Sequence, residues 1–143
     1  MNKLLYWFSV HTIILSFFML LYIGYLLLYP FEPVVLHTNP FKIEKKEYKA
    51  GEYLTYTISY TKKMAVAPKI KYFLVDGVIF PLAEKGVSRP VGTRTNTQLL
   101  KLPDSMPSGK YLLQIDLEYQ VNPLRTIYYS WQSEQFEIKE VAK

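Results

Sequence analysis

Acyl or glycosyl transfer needs a nucleophile, a base and a group that orients the base. This chain holds few residues that could fill those roles. Of its 2 histidines, His11 lies inside the longest apolar run and His37 follows shortly after it. Ser59-Tyr-Thr-Lys62 has the Ser-x-x-Lys spacing of Ser–Lys acyl-transfer sites. That chemistry needs both side chains on one face of a helix. The alternation around the motif reads as a strand, where residues three apart point to opposite faces, so the match is taken as coincidence. Asp116 and Glu118 share one strand face, as paired acid and base would, but next to Gln114 they also fit an ordinary solvated face. With 0 Cys there is no thiol nucleophile, thiolate metal site, disulfide or lipidated cysteine. No run of His, Asp and Glu has metal-ligand spacing, and no glycine-rich phosphate loop is present. The expectation is a protein that is not an enzyme and takes no metal or cofactor. A cell-envelope hydrolase using Ser59, Lys62, Asp116 and Glu118 is an alternative.

The elements that would position such residues divide the chain unevenly. Of 143 residues, 50% are hydrophobic, and Leu4 to Phe31 carries no Asp, Glu, Lys or Arg. About 20 apolar residues cross a bilayer, so residues 4–29 read as a transmembrane helix behind a short tail at 1–3. The bulky sequence Gly24-Tyr-Leu-Leu-Leu-Tyr-Pro30 lacks the small residues of a signal-peptide cleavage site, which favours an uncleaved signal-anchor. Tyr6, Trp7, Tyr25 and Tyr29 flank the run as interfacial aromatics do. A short amino-terminal tail is usually retained, so the amino terminus is expected in the cytoplasm and the remainder outside, in the periplasm or on the cell surface. Ser9, Thr12 and Ser16 share a helical face. They form either a seam for a second membrane helix or a set of hydroxyls bonded to their own backbone.

Residues 30–40, with Pro30, Pro33 and Pro40, read as a semi-rigid linker. From residue 41 to 140 the period changes to two. Leu54, Tyr56, Ile58 and Tyr60 alternate with polar neighbours, as do Ile70, Tyr72 and Leu74, and the series Tyr111, Leu113, Ile115, Leu117 and Tyr119. A shorter strand is read at Gln98–Leu102, and Ile127, Tyr129, Trp131, Phe136 and Ile138 continue the pattern. Such alternation puts one face in a core and the other in water. Asp76-Gly77 marks a hairpin, and Glu84–Asn96 reads as a loop or an edge. Strands at this spacing without amphipathic helices predict a mainly β, antiparallel sandwich, closed by a tail at 141–143.

The order Lys49-Ala-Gly-Glu52, then Leu102-Pro-Asp-Ser-Met-Pro-Ser-Gly-Lys-Tyr111, then Ser133-Glu-Gln-Phe-Glu-Ile138 resembles immunoglobulin-like domains of bacterial and phage surface proteins. The resemblance covers roughly Phe41 to Glu140. It implies an immunoglobulin-like β-sandwich in which Tyr111 forms a tyrosine corner, its hydroxyl bonded to nearby backbone. The chain departs from antibody-type domains in having no Cys pair and no central-strand Trp. An anchor followed by this domain, with Val121-Asn-Pro-Leu-Arg125 before the last strand, is also similar to uncharacterised membrane proteins of tailed phages.

Binding is then the open function. The chain has 17 Lys+Arg against 12 Asp+Glu, and Lys42, Lys45, Lys46 and Lys49 cluster just after the linker. They read as contacts to an anionic surface such as lipid headgroups, each contributing on the order of 1 kcal/mol, or as solubilising charge. Stacking aromatics between the charges are too few for nucleic acid. Phe73, Leu112 and Tyr128 face away from the predicted core and are candidates for a protein-binding patch. The expected partners are the lipid bilayer and another protein. The expected role is a single-pass anchored binding protein, with an accessory subunit of a larger membrane enzyme or transporter as the alternative.

Overall fold

The computed structural model describes residues 3–86 and 89–139; the expected tail at 141–143 and most of the tail at 1–3 lie outside them. Two compact units form: one from the amino terminus to Phe31 together with Asn122–Arg125, the other from Glu32–Val121 and the segment after Thr126.

In the first unit a single helix, α1, spans Lys3–Leu28. Its apolar stretch Leu5–Leu28 is long and apolar enough to cross a membrane. Apolar side chains point in every direction and stay exposed, including Phe8, Leu15, Leu20 and Leu28. Pro30 cannot continue the helix, and Tyr25, Tyr29 and Phe31 pack against one another, with ring centroids of Tyr29 and Phe31 4.9 Å apart. The last carbonyls of a helix have no partner one turn on. Here Asn122 Nδ2 donates to Leu26 O at 2.8 Å, and Arg125 donates to Leu27 O at 3.0 Å and Tyr29 O at 2.7 Å. Arg125 puts a cation at the negative end of the helix dipole.

The second unit is built of strands β1 (Val34–Ile43), β2 (Glu47–Lys49), β3 (Tyr53–Lys62), β4 (Lys69–Asp76), β5 (Val78–Gly86), β6 (Gly92–Lys101), β7 (Gly109–Asn122), β8 (Arg125–Gln132) and β9 (Phe136–Lys139). One sheet has the order β1-β3-β6; the other runs β2-β9-β7-β4-β5, with β8 also paired to β7. All described ladders are antiparallel except β2 with β9, which is parallel. Leu54, Tyr56 and Ile58 from the first sheet and Tyr72, Leu74, Leu113, Ile115 and Ile138 from the second meet in one buried cluster. Each lies on the inward parity that period-two alternation requires.

One expected segment is different, and a second takes one of its two expected forms. The linker expected at 30–40 is mostly strand β1, paired with β3. Between Leu36 and Phe41 β1 advances five residues while β3 advances two, from Tyr60 to Ile58. The stretch between Leu36 and Phe41 contains Pro40, which has no N–H for the ladder. Of the two forms expected at Glu84–Asn96, a loop or an edge, the stretch largely takes the second: it is the end of β5 and the start of β6, each outermost in its sheet. In β6, Thr93, Thr95 and Thr97 are exposed while Arg94, Asn96 and Gln98 are half-buried, so both faces are polar and hydrophobic alternation gives no signal. The Asp76-Gly77 turn does join β4 to β5, with Gly77 at φ +64°, a conformation open to glycine at little cost.

Where β8 gives way to β9, Ser133 keeps β7 satisfied. Its N–H donates to Leu113 O at 2.9 Å, and its hydroxyl accepts from Leu113 N–H at 2.9 Å. A buried side chain thus replaces a missing ladder carbonyl.

Candidate functional site: a tyrosine-lined cavity between the sheets

At one end of the core the apolar packing opens into a cavity of about 80 Å³. Its walls come from both sheets: Tyr56, Ile58, Tyr60 and Lys62 of β3, Asn96 and Gln98 of β6, Ile70 and Tyr72 of β4, and Ile115, Leu117 and Tyr119 of β7. Trp131 of β8 and Arg89 complete the lining with Val34 and Pro68. Strand periodicity places them: the inward series 54, 56, 58 and 60 continues to 62, so a lysine follows four core residues into the interior. Lys62 is only 2% exposed.

The polar groups here are partly paired. Tyr56 donates to Tyr72 Oη at 3.1 Å, and Asn96 Nδ2 donates to Tyr60 Oη at 3.2 Å. Lys62 Nζ donates to Arg89 O at 2.7 Å. Burial holds the Lys62 ammonium below the usual lysine range, because desolvation disfavours the charged form. Burial, and then the bond to Tyr72, push the Tyr56 hydroxyl well above the usual tyrosine range. Burial likewise pushes Tyr119 up to about 12. Arg94 lies opposite Tyr60 in the β3–β6 register, and its buried Nε has no hydrogen-bond partner among the described residues. The four described salt bridges all lie elsewhere. The cavity therefore offers cationic and hydroxyl donors around an apolar floor.

The residues singled out from sequence are scattered. Ser59 faces outward and shares a hydrogen bond of 2.8 Å with Thr95, while Lys62 turns inward, so the Ser-x-x-Lys pair is divided between two faces. Asp116 accepts from Gln114 at 2.9 Å and from Ser130 at 2.7 Å, and Glu118 stands 4.0 Å from Lys71. These two acids belong to surface networks. His37 shares a bond of 3.0 Å with Thr61, and His11 donates from Nδ1 to Trp7 O at 2.7 Å. No group of three or more His, Cys, Asp or Glu that could hold a metal forms among the described residues.

On α1, Ser9 donates to Leu5 O at 2.9 Å and Thr12 to Phe8 O at 3.0 Å. Both hydroxyls follow the backbone-bonded reading; Ser16 is exposed on the same helix. Lys42, Lys45, Lys46 and Lys49 are all exposed, but Lys45 is paired with Glu52 at 2.7 Å, so the cluster mixes signs. The suggested patch also divides. Phe73 and Leu112 stand on the outer face with Val75 and the exposed Ile79, linked through the β4 ladders. Tyr128, 71% exposed, is cut off from them by a polar network in which Gln132 donates to Gln114 and Ser130 to Asp116. The Tyr111 hydroxyl donates to Pro107 O at 3.0 Å, and the ring is buried against Phe80, 6.0 Å between centroids.

The chain is thus a mainly β protein of antiparallel and mixed sheets behind one apolar amino-terminal helix. No protein-family model and no curated protein sequence matches it.

Proposed function

We propose that the chain is a single-pass membrane protein that displays an immunoglobulin-like domain outside the membrane to bind another protein. The observation that carries the reading is α1. None of its most apolar window is buried, and leaving so many large apolar side chains in water opposes the hydrophobic effect at about 25 cal/mol per Å². A bilayer removes that cost. The immunoglobulin-like assignment is supported by the order β2-β9-β7-β4-β5 facing β1-β3-β6, with β2 parallel to β9. The Tyr111–Pro107 bond, reaching four residues back, has the geometry of a tyrosine corner.

The partner surface in this reading is the outer face around Phe73, Leu112 and Ile79, since apolar anchors dominate interface energetics. The test is membrane fractionation with protease added to intact spheroplasts, followed by crosslinking. The reading expects recovery in the membrane fraction, loss of the β domain to external protease, and a crosslinked product that weakens in Phe73→Glu and Leu112→Glu. Recovery from the aqueous fraction would overturn the anchor. Protection of the β domain would overturn the orientation, and an unchanged product in both variants would overturn the surface.

A further inference from the structure

The cavity between the sheets holds a buried lysine that no carboxylate among the described residues answers. Removing a charge from water costs several kcal/mol unless it is paired. Lys62 is 2% exposed and its described partner is one neutral carbonyl, Arg89 O. An ammonium has three donors, so at least one points elsewhere. A second basic side chain at the same end, Arg94, keeps its buried Nε without a partner among the described residues. Arg94 stands beside the cavity rather than in its wall, and of the lining residues only Lys62 and Arg89 are charged. The local charge is of one sign, enclosed by low-dielectric walls.

We infer that this cavity binds a compact anionic group, a carboxylate or phosphate monoester, carried on a short apolar stem. Lys62 supplies the charge-assisted hydrogen bond, which is shorter and stronger than a neutral one. Tyr60, Tyr119 and Asn96 supply further donors, and Ile115, Leu117 and Trp131 line the path of the stem. At about 80 Å³ the space suits a headgroup and a few carbons rather than a long chain. The same chemistry is presented by a free small metabolite and by the headgroup of an anionic lipid. The inference does not depend on the proposed membrane anchor; only its lipid source does.

Trp131 gives a direct reporter once Trp7 is replaced by Phe. The full chain in dodecyl maltoside is titrated with butyl phosphate and with butyrate, using butanol as the uncharged control. A second series places it in nanodiscs of phosphatidylcholine with or without phosphatidic acid, whose headgroup is a phosphate monoester. The expected result is a saturable change in Trp131 fluorescence with an anion and not with butanol, at least about tenfold weaker in Lys62→Met, as loss of a charge-assisted bond implies. Tyr60→Phe, which removes a lining hydroxyl donor, takes the place of Lys62→Met if the latter does not fold, and is likewise expected to weaken the response. A response to the soluble anions identifies a free ligand; a response confined to phosphatidic acid identifies a lipid. Absence of any saturable response, an equal response to butanol, or full retention in the folded variant overturns the inference.

Discussion

The helix α1 and the paired sheets are both rich in apolar residues, yet they handle them in opposite ways. Around α1 the apolar side chains cover the whole circumference and stay exposed. In the strands they alternate, so that β7 buries Tyr111, Leu113, Ile115, Leu117 and Tyr119 while Lys110 and Gln120 face water. The difference lies in pattern rather than content. An element apolar all round needs an apolar medium, whereas one apolar on alternate residues makes its own interior when two such layers meet. Polar groups follow the same division: the hydroxyls of Ser9 and Thr12 return to their own backbone, while those of Tyr56 and Tyr72 pair across the core.

That contrast can be broken from either side. The largest effect is expected in the sheets. Leu74→Ala removes a fully buried side chain and should cost about 2–5 kcal/mol, read as a lower denaturant midpoint, with membrane recovery unchanged. On the other side, Leu15→Arg puts a charge near the middle of α1. It should raise the apparent insertion free energy by about 2.5–3.5 kcal/mol and shift the protein toward the soluble fraction, while the β domain keeps its melting temperature. Ser133→Ala leaves the buried Leu113 N–H without its acceptor and is expected to destabilise by about 1–3 kcal/mol. Smallest is Tyr111→Phe, which loses the bond to Pro107 O but keeps the ring packing; about 1 kcal/mol is expected in the same unfolding measurement. If Leu74→Ala also released the protein from membranes, the two regions would not be independent.

Legibility in the sequence followed the same physics. α1 is visible because nothing interrupts its apolar run, and the observed span differs from the expected one by a residue at each end. β3, β4 and β7 are visible because one face is apolar and the other polar. β1 is hidden by Pro40 and its bulge, and β6 by having polar residues on both faces. Asn96 and Gln98 of β6 line the cavity, so the stretch that escapes hydrophobic periodicity is the one beside the candidate site. Lys62 was within reach: extending the inward series from Tyr60 by two residues places it indoors. The bond of Tyr111 is legible through its Pro-x-Gly-x-Tyr turn, whereas the pairing of Lys45 with Glu52 depends on a turn that brings residues seven apart together.

The parallel seam between β2 and β9 has a kinetic corollary. Glu47 is matched to Glu137, ninety positions downstream, and the short β2 has no other neighbour in its layer. Closing so large a loop is entropically slow. Tyr48 is translated long before Ile138, so its side of the core stays unsealed until synthesis has reached β9.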